Sequence, residues 1–284
     1  MTTPIEHHIA LSDHLSLTAQ IWGQADAPPL LALHGWLDNA GSYAYLAPIL
    51  AQHWRVIALE LPGHGHSGHL PAGASYHYLD YVSAVLVAAD VLQLEQYVLL
   101  GHSLGAGIAS LVAAATPQRI ARLCLIEGLG PLGDDGAHTL RRFRDAVVAP
   151  ATNGKSLRMF RDIDQAIGAR TLASGLRADL ARPIVERGLL ETEDGWRWRS
   201  DSRLTRPSAV RLAESQICAL LAGIEAPTAL LLANPIQPYL PTPLMQARAG
   251  QVAHIVIDHM DGGHHLHLEH PHAVAAWLIA HSQR

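Results

Sequence analysis

The chain has 284 residues, 49% of them hydrophobic, so it is long enough to bury a large core, either as one α/β domain or as a domain carrying an insertion. A net charge of -5 excludes general nucleic-acid binding, which needs a basic domain. The start, "MTTPIEHHIALSD", lacks the pattern of a signal peptide and no apolar run is long enough for a bilayer, so a soluble, cytoplasmic protein without membrane insertion is expected. Cys124 and Cys218 lie far apart in apolar segments and are expected to be buried, reduced thiols.

"LSLTAQIW" (15–22) and "PLLALHG" (29–35) read as strands, the second a continuous apolar run suited to a sheet covered on both faces. "YAYLAPILAQ" reads as a helix and "WRVIALELPG" as a strand. Leu79, Val82, Leu86 and Ala89 follow helical spacing between residues 76 and 92. Further strands are predicted at 97–100, 121–128, 227–234 and 252–258, and a last helix at Pro271, where proline suits the first turn. Strands alternating with helices imply a mainly parallel sheet.

Between about 131 and 207 the pattern changes to arginine-rich helical stretches with a polar break, "ETEDGWRWRSD". From Pro131 to Arg211 there are 15 Lys and Arg against 11 Asp and Glu, a balance of +4, which leaves -9 for the rest of the chain. The simplest architecture is a core of residues 1–130 and 208–284 interrupted by a helical cap, 131–207, lying over the ends of the central strands as a lid.

"YVLLGHSLGAGIAS" is an apolar strand that enters a small-residue helix through Gly101-His102-Ser103-Leu104-Gly105. This G-x-S-x-G turn places a serine hydroxyl at a helix N-terminus on a strained backbone, the geometry of a catalytic nucleophile. A serine that merely caps the helix is the bland alternative. An unassisted hydroxyl is a poor nucleophile, so a base, an acid and an oxyanion site are required. His-Gly-Trp follows the first fully apolar strand, and its loop lies next to the serine turn in the expected sheet. The backbone N–H groups of Trp36 and Leu104 are thus candidates for an oxyanion hole. The loop "DGGHHLHLEHP" carries His264, His265, His267 and His270. His264, directly after the glycines, is the candidate base, with His265 its rival.

"HGWLDNAGSY", "LPGHGHSG", "GHSLG" and "GGHHLHLEHP", in this order and spacing, resemble the α/β-hydrolase fold superfamily. Trp36-Leu37-Asp38-Asn39 and "DGWRWRSDSRLTRPSAVRL" further resemble its serine hydrolase-like branch. The resemblance implies an α/β-hydrolase fold with a helical lid after the sixth strand, Ser103 as nucleophile and His264 as base. Many relatives carry the triad acid after the strand "TALLLANPIQPYLP", but no Asp or Glu occurs between Glu225 and Asp258, and Gln237 stands at the expected position. Other members place the acid at the end of the strand following the elbow helix, which here is Glu127. Asp258 and Asp261 are weaker candidates.

These readings predict a small-molecule ester or thioester as substrate, cleaved through an acyl-enzyme by a Ser-His-Glu triad without a cofactor. Two rivals from other classes are a non-catalytic binding protein on the same fold and a zinc-dependent hydrolase. The second is suggested by His64-Gly-His66-Ser-Gly-His69, whose H-x-H-x-x-H spacing lacks the Asp that normally precedes the last histidine in such sites. Arg141, Arg142, Arg144, Arg158 and Arg161 could attract an anionic leaving group, or pair with the acidic remainder of the chain.

Overall fold

The computed structural model describes residues 3–148 and 158–282. The core begins with β1 (Ile5–Ser12), β2 (Leu15–Trp22), β3 (Pro29–Leu33), α1 (Ala47–Leu50), β4 (Arg55–Leu59), α2 (Tyr78–Val91), β5 (Tyr97–His102), α3 (Leu104–Ala115) and β6 (Ile120–Ile126). A segment with α4 (Thr139–Val148), α5 (Ile163–Ser174), α6 (Ala178–Gly188), β7 (Leu189–Thr192) and β8 (Gly195–Trp198) follows. The chain ends with α7 (Glu214–Leu221), β9 (Thr228–Asn234), α8 (Thr242–Ala249), β10 (Ile255–Asp261), α9 (Leu266–Glu269) and α10 (Pro271–Ser282).

Eight strands form one sheet in the order β1-β2-β4-β3-β5-β6-β9-β10, antiparallel at the first two pairings and parallel at the other five. Alternation of side chains sorts the apolar strands onto two faces. Leu31, Leu33, Leu99 and Leu123 pack with Val85 of α2 and Ile108 and Val112 of α3. Their neighbours Leu30, Ala32, Val98, Leu100 and Cys124 pack on the other face with Leu50, Val274 and Leu278. Helices cover both faces, so strands β3 to β6 and β9 read as unbroken apolar runs.

Four expectations change. The helix expected in "YAYLAPILAQ" is a 3-10 turn at Ala40–Tyr43 and the single turn α1, because Pro48 favours a helix start rather than its continuation. The last strand runs over 255–261 rather than 252–258, its register set by pairing from Ile255 with Thr228 to Asp261 with Asn234. The polar break in the inserted segment is the hairpin β7–β8, so its described residues are not all helical. Cys218 is half-buried, whereas Cys124 is buried, and both are free thiols. Residues 149–157 of the expected lid lie outside the described residues.

The inserted segment packs Phe160, Ile167, Val185 and Leu189 into a small core of its own. Two buried carboxylates from the loops after β3 and β4 hold it. Asp38 pairs with Arg170 of α5, and Glu60 takes Arg187 of α6 through Nε at 2.7 Å and Nη2 at 3.0 Å. Asn39 donates to the Ile184 carbonyl at 2.8 Å. The segment's positive balance therefore meets acidic groups of the core. Among the described residues, no helix is long and apolar enough to cross a membrane.

Candidate active site

Parallel strands bring the loops after β3, β5, β6, β9 and β10 to one edge of the sheet, where ligand sites of open α/β sheets form. Ser103 sits between β5 and α3 with φ 53° and ψ -114°, a conformation that costs a serine about 1–3 kcal/mol. The flanking glycines make the turn possible. A Cβ on Gly101 would lie 2.5 Å from the Gly105 carbonyl oxygen, and one on Gly105 would lie 2.1 Å from that of Leu33. The Ser103 N–H donates to the Ile126 carbonyl at 2.9 Å, tying the turn to β6. Its hydroxyl makes no hydrogen bond among the described residues and is free for a ligand or a proton acceptor.

Glu127 terminates β6 next door, also with positive φ, 57°. Its carboxylate is buried and doubly anchored, with Oε1 accepting from the Ala233 N–H at 2.5 Å and Oε2 lying 3.1 Å from His264 Nδ1. His264 is 20% exposed at the side chain and flanks the elbow, since its carbonyl accepts from His102 Nε2 at 2.9 Å. The loop carrying it is held by Glu269, which accepts from the Gly263 N–H at 2.8 Å. With Glu127 on its Nδ1, the imidazole keeps Nε2 for a second partner.

Trp36 lies in the loop after β3, and β3 pairs with β5 up to Leu33 opposite Gly101. That pairing, and the contact of Gly105 with Leu33, set the Trp36 loop beside the first turn of α3. The N–H groups of Trp36 and Leu104 make no hydrogen bond among the described residues. The Trp36 indole donates to the Leu204 carbonyl at 3.1 Å, so the inserted segment reaches the rim of this loop.

The other candidates point elsewhere. Asp258 accepts from Trp277 at 2.9 Å and from His281 at 2.8 Å, and Asp261 accepts from Asn234 at 2.6 Å. Gln237 supplies only its backbone carbonyl, to the Leu240 N–H. His64, His66 and His69 do not converge: they meet the Pro62 carbonyl, Glu6, and the Arg199 carbonyl with Asp201, respectively. His265, the rival base, is buried with Nε2 3.4 Å from Asp38 Oδ2. Of the arginines, Arg142 pairs with Asp134, Arg141 lies 3.8 Å from Asp145, and Arg158 stacks on Phe160, while Arg144 and Arg161 are exposed. A cavity of about 750 Å³ lined by Trp22, Pro48, Pro183, Arg187 and Trp196 borders none of Ser103, Glu127 and His264.

Sequence reasoning missed two features. The Tyr239 hydroxyl, from the loop after β9, lies 2.7 Å from His264 Nδ1 and 3.2 Å from Nε2, sharing that imidazole with Glu127. The second is a buried polar group behind the elbow, made of Asp38, Ser42, His102, His265 and His267. Burial opposes ionisation of Asp38, but the Arg170 guanidinium and His265 outweigh it and hold the carboxyl well below the usual range. Burial and the neighbouring histidines push His102 well below the ordinary histidine value, and His267 to about 3, so both are neutral. Burial and His34 likewise push His64 down to about 3.

A family model described as alpha/beta hydrolase fold matches residues 28–271. The chain belongs to this family. Within the α/β hydrolases it falls in the serine hydrolase-like branch. A serine hydrolase-like protein of Dictyostelium discoideum is 29% identical over 290 residues, covering 96% of this chain and 80% of that one. A serine hydrolase-like protein of Danio rerio is 27% identical, covering 92% and 83%. Among solved structures, a hypothetical protein from Pseudomonas aeruginosa PAO1 superimposes with a TM-score of 0.89 at 36% identity, covering 100% of both chains. At 24% identity the thioesterase domain from the curacin biosynthetic pathway shares the fold, with a TM-score of 0.85 over 98% of this chain and 100% of that one.

Proposed function

We propose that this α/β hydrolase is a serine-dependent enzyme that cleaves a small carboxylic ester, or a thioester, through an acyl-enzyme on Ser103. The observation that carries the reading is the 3.1 Å approach of His264 Nδ1 to the buried Glu127 carboxylate, in a loop alongside the unpaired Ser103 hydroxyl. Nε2 of His264 takes the Ser103 proton as Oγ attacks the carbonyl carbon, and Glu127 keeps the other imidazole proton on Nδ1. The tetrahedral oxyanion is held by the N–H groups of Trp36 and Leu104, each contributing about 3 kcal/mol in the transition state. His264 then returns its proton to the departing oxygen or sulfur. It next deprotonates a water, which attacks the acyl-enzyme and frees the acid and Ser103. Serine, imidazole, carboxylate and backbone donors supply every step, so no cofactor enters.

Residues 131–207 act in this proposal as a cap on the core formed by 1–130 and 208–284. Its support is the insertion after β6 and the Trp36 contact with Leu204 at the rim of the site. The test is a series of p-nitrophenyl esters and acyl thioesters of graded chain length, run with wild type and Ser103→Ala beside labelling by a fluorophosphonate probe. Wild type is expected to be labelled and to turn over short or medium chains, with turnover falling by orders of magnitude in the variant. Hydrolysis retained by Ser103→Ala would end the nucleophile assignment. A wild type that neither labels nor hydrolyses would favour a binding protein.

A further inference from the structure

Behind the elbow, three groups from three parts of the chain face one point. Asp38 lies in the loop after β3, His102 is the last residue of β5, and His265 immediately precedes α9. All are buried, and one ligand atom of each lies within 4.8 Å of the other two. Asp38 Oδ2 is 3.4 Å from His265 Nε2 and 3.9 Å from His102 Nδ1. His102 donates its Nε2 proton to the His264 carbonyl, so Nδ1 bears a lone pair. That Nδ1 is buried and has no hydrogen-bond partner. A bare lone pair beside a carboxylate oxygen is both unsatisfied and repelled. A cation between the two atoms removes both penalties.

Gly35 borders the same two atoms: an added Cβ there would stand 3.0 Å from His102 Nδ1 and 3.2 Å from Asp38 Oδ2, so the absence of a side chain keeps that side of both atoms unobstructed. Arg170 engages the other carboxylate oxygen, Oδ1, while Oδ2 accepts from the Ser42 hydroxyl at 3.3 Å and also faces the histidines.

We propose that Asp38 Oδ2, His102 Nδ1 and His265 Nε2 form a binding site for a divalent transition ion of the zinc class. Two imidazoles and one carboxylate suit such an ion, whereas calcium and magnesium favour all-oxygen shells. Bonds of about 2.0–2.2 Å in a tetrahedral site place ligand atoms about 3.3–3.6 Å apart. The 3.4 Å pair already meets this, and the 3.9 Å pair does so after closing by a few tenths of an ångström. His265 carries its proton on Nδ1 when it ligates. His102 precedes Ser103 and His265 follows His264, so the ion staples the elbow to the histidine loop from behind, whatever bond the enzyme cleaves.

The chelator-stripped full chain is dialysed against Zn2+ and, separately, Co2+, and bound metal is counted by mass spectrometry. The proposal expects one retained equivalent, visible d–d bands of low-coordinate Co2+, and a raised melting temperature with Zn2+. In His102→Gln and His265→Gln the affinity should fall at least about tenfold, the loss that even an outer partner of a metal site costs. His7→Gln/His8→Gln, on exposed β1, should bind as wild type. Asp38→Asn would also strip Arg170 of its buried ionic partner, so the histidine variants carry the test. X-ray absorption at the zinc edge of wild type, independent of any variant, should show two imidazoles. A wild type that retains no ion overturns the site, as does retention unchanged in folded His102→Gln and His265→Gln, or a zinc shell without imidazole.

Discussion

Glu127→Gln isolates the role of the buried carboxylate with almost no change of volume. The side-chain carbonyl of glutamine can still accept from the Ala233 N–H, which lies 2.5 Å from Oε1 in the wild type. The new amide N–H₂ then occupies the place of Oε2, 3.1 Å from His264 Nδ1, where it can only donate. Nδ1 must become the acceptor, the imidazole proton moves to Nε2, and the nitrogen that should take the Ser103 proton is blocked. The corresponding amide substitution in a serine-protease triad lowers kcat about 10⁴-fold. This corresponds to about 5 kcal/mol of barrier. Steady-state hydrolysis of the best p-nitrophenyl ester, with a melting curve on the same sample, should show this loss in kcat, little change in KM and a melting temperature near that of wild type. Asp258→Asn and Asp261→Asn should stay close to wild type, since their carboxylates face Trp277 and His281, and Asn234. A folded Glu127→Gln enzyme within about tenfold of wild type would refute the assignment of the acid.

Arg187→Met leaves the buried Glu60 carboxylate without its counter-ion, held only by the Ala40 and His66 N–H groups, and should cost about 3 kcal/mol, read as a lowered denaturant midpoint. His64 has a folded value of about 3 against an ordinary 6.5, so the unfolded chain binds its proton first; stability is complete above about pH 6.5 and declines as pH falls toward 3. The decline reaches about 1.4 kcal/mol per pH unit from this residue, and chemical denaturation between pH 7.5 and 5 should be steeper for wild type than for His64→Phe. With Arg142, Arg170 and Arg187 paired to carboxylates, raising ionic strength from about 0.05 to 0.5 M should change KM equally for neutral esters and anionic thioesters. A selective rise for the anionic class would mean that free cap arginines bind the leaving group.

The strands and the elbow were legible because their signals are local. "YVLLGHSLG" carries the buried β5 run and the two glycines whose missing side chains admit the Leu33 and Gly105 carbonyls within a few residues of chain. Glu127 was a candidate through the resemblance to α/β hydrolases that carry an acid at the end of this strand, and the parallel pairing of β5 with β6 sets that strand end beside the elbow. The hairpin β7–β8 was missed because "ETEDGWRWRSD" has turn chemistry but little apolar alternation; Trp196 and Trp198 find their partners in Phe160, far back in the chain. Tyr239 lies in a stretch with no acidic residue, and its proximity to His264 leaves no mark in spacing.

The sequence by itself determined the strand and helix order, the strained turn at Ser103 and the glycine-led histidine loop, since each follows from steric and periodic preferences acting over a handful of residues. Only the tertiary structure decided which carboxylate meets which histidine. Glu127 with His264 and Asp38 with His265 are pairings between distant parts of the chain, chosen by strand order and by burial that leaves each polar group few partners. The same packing separated His64, His66 and His69, adjacent in the sequence, and gathered Asp38, His102 and His265, which no local pattern connects.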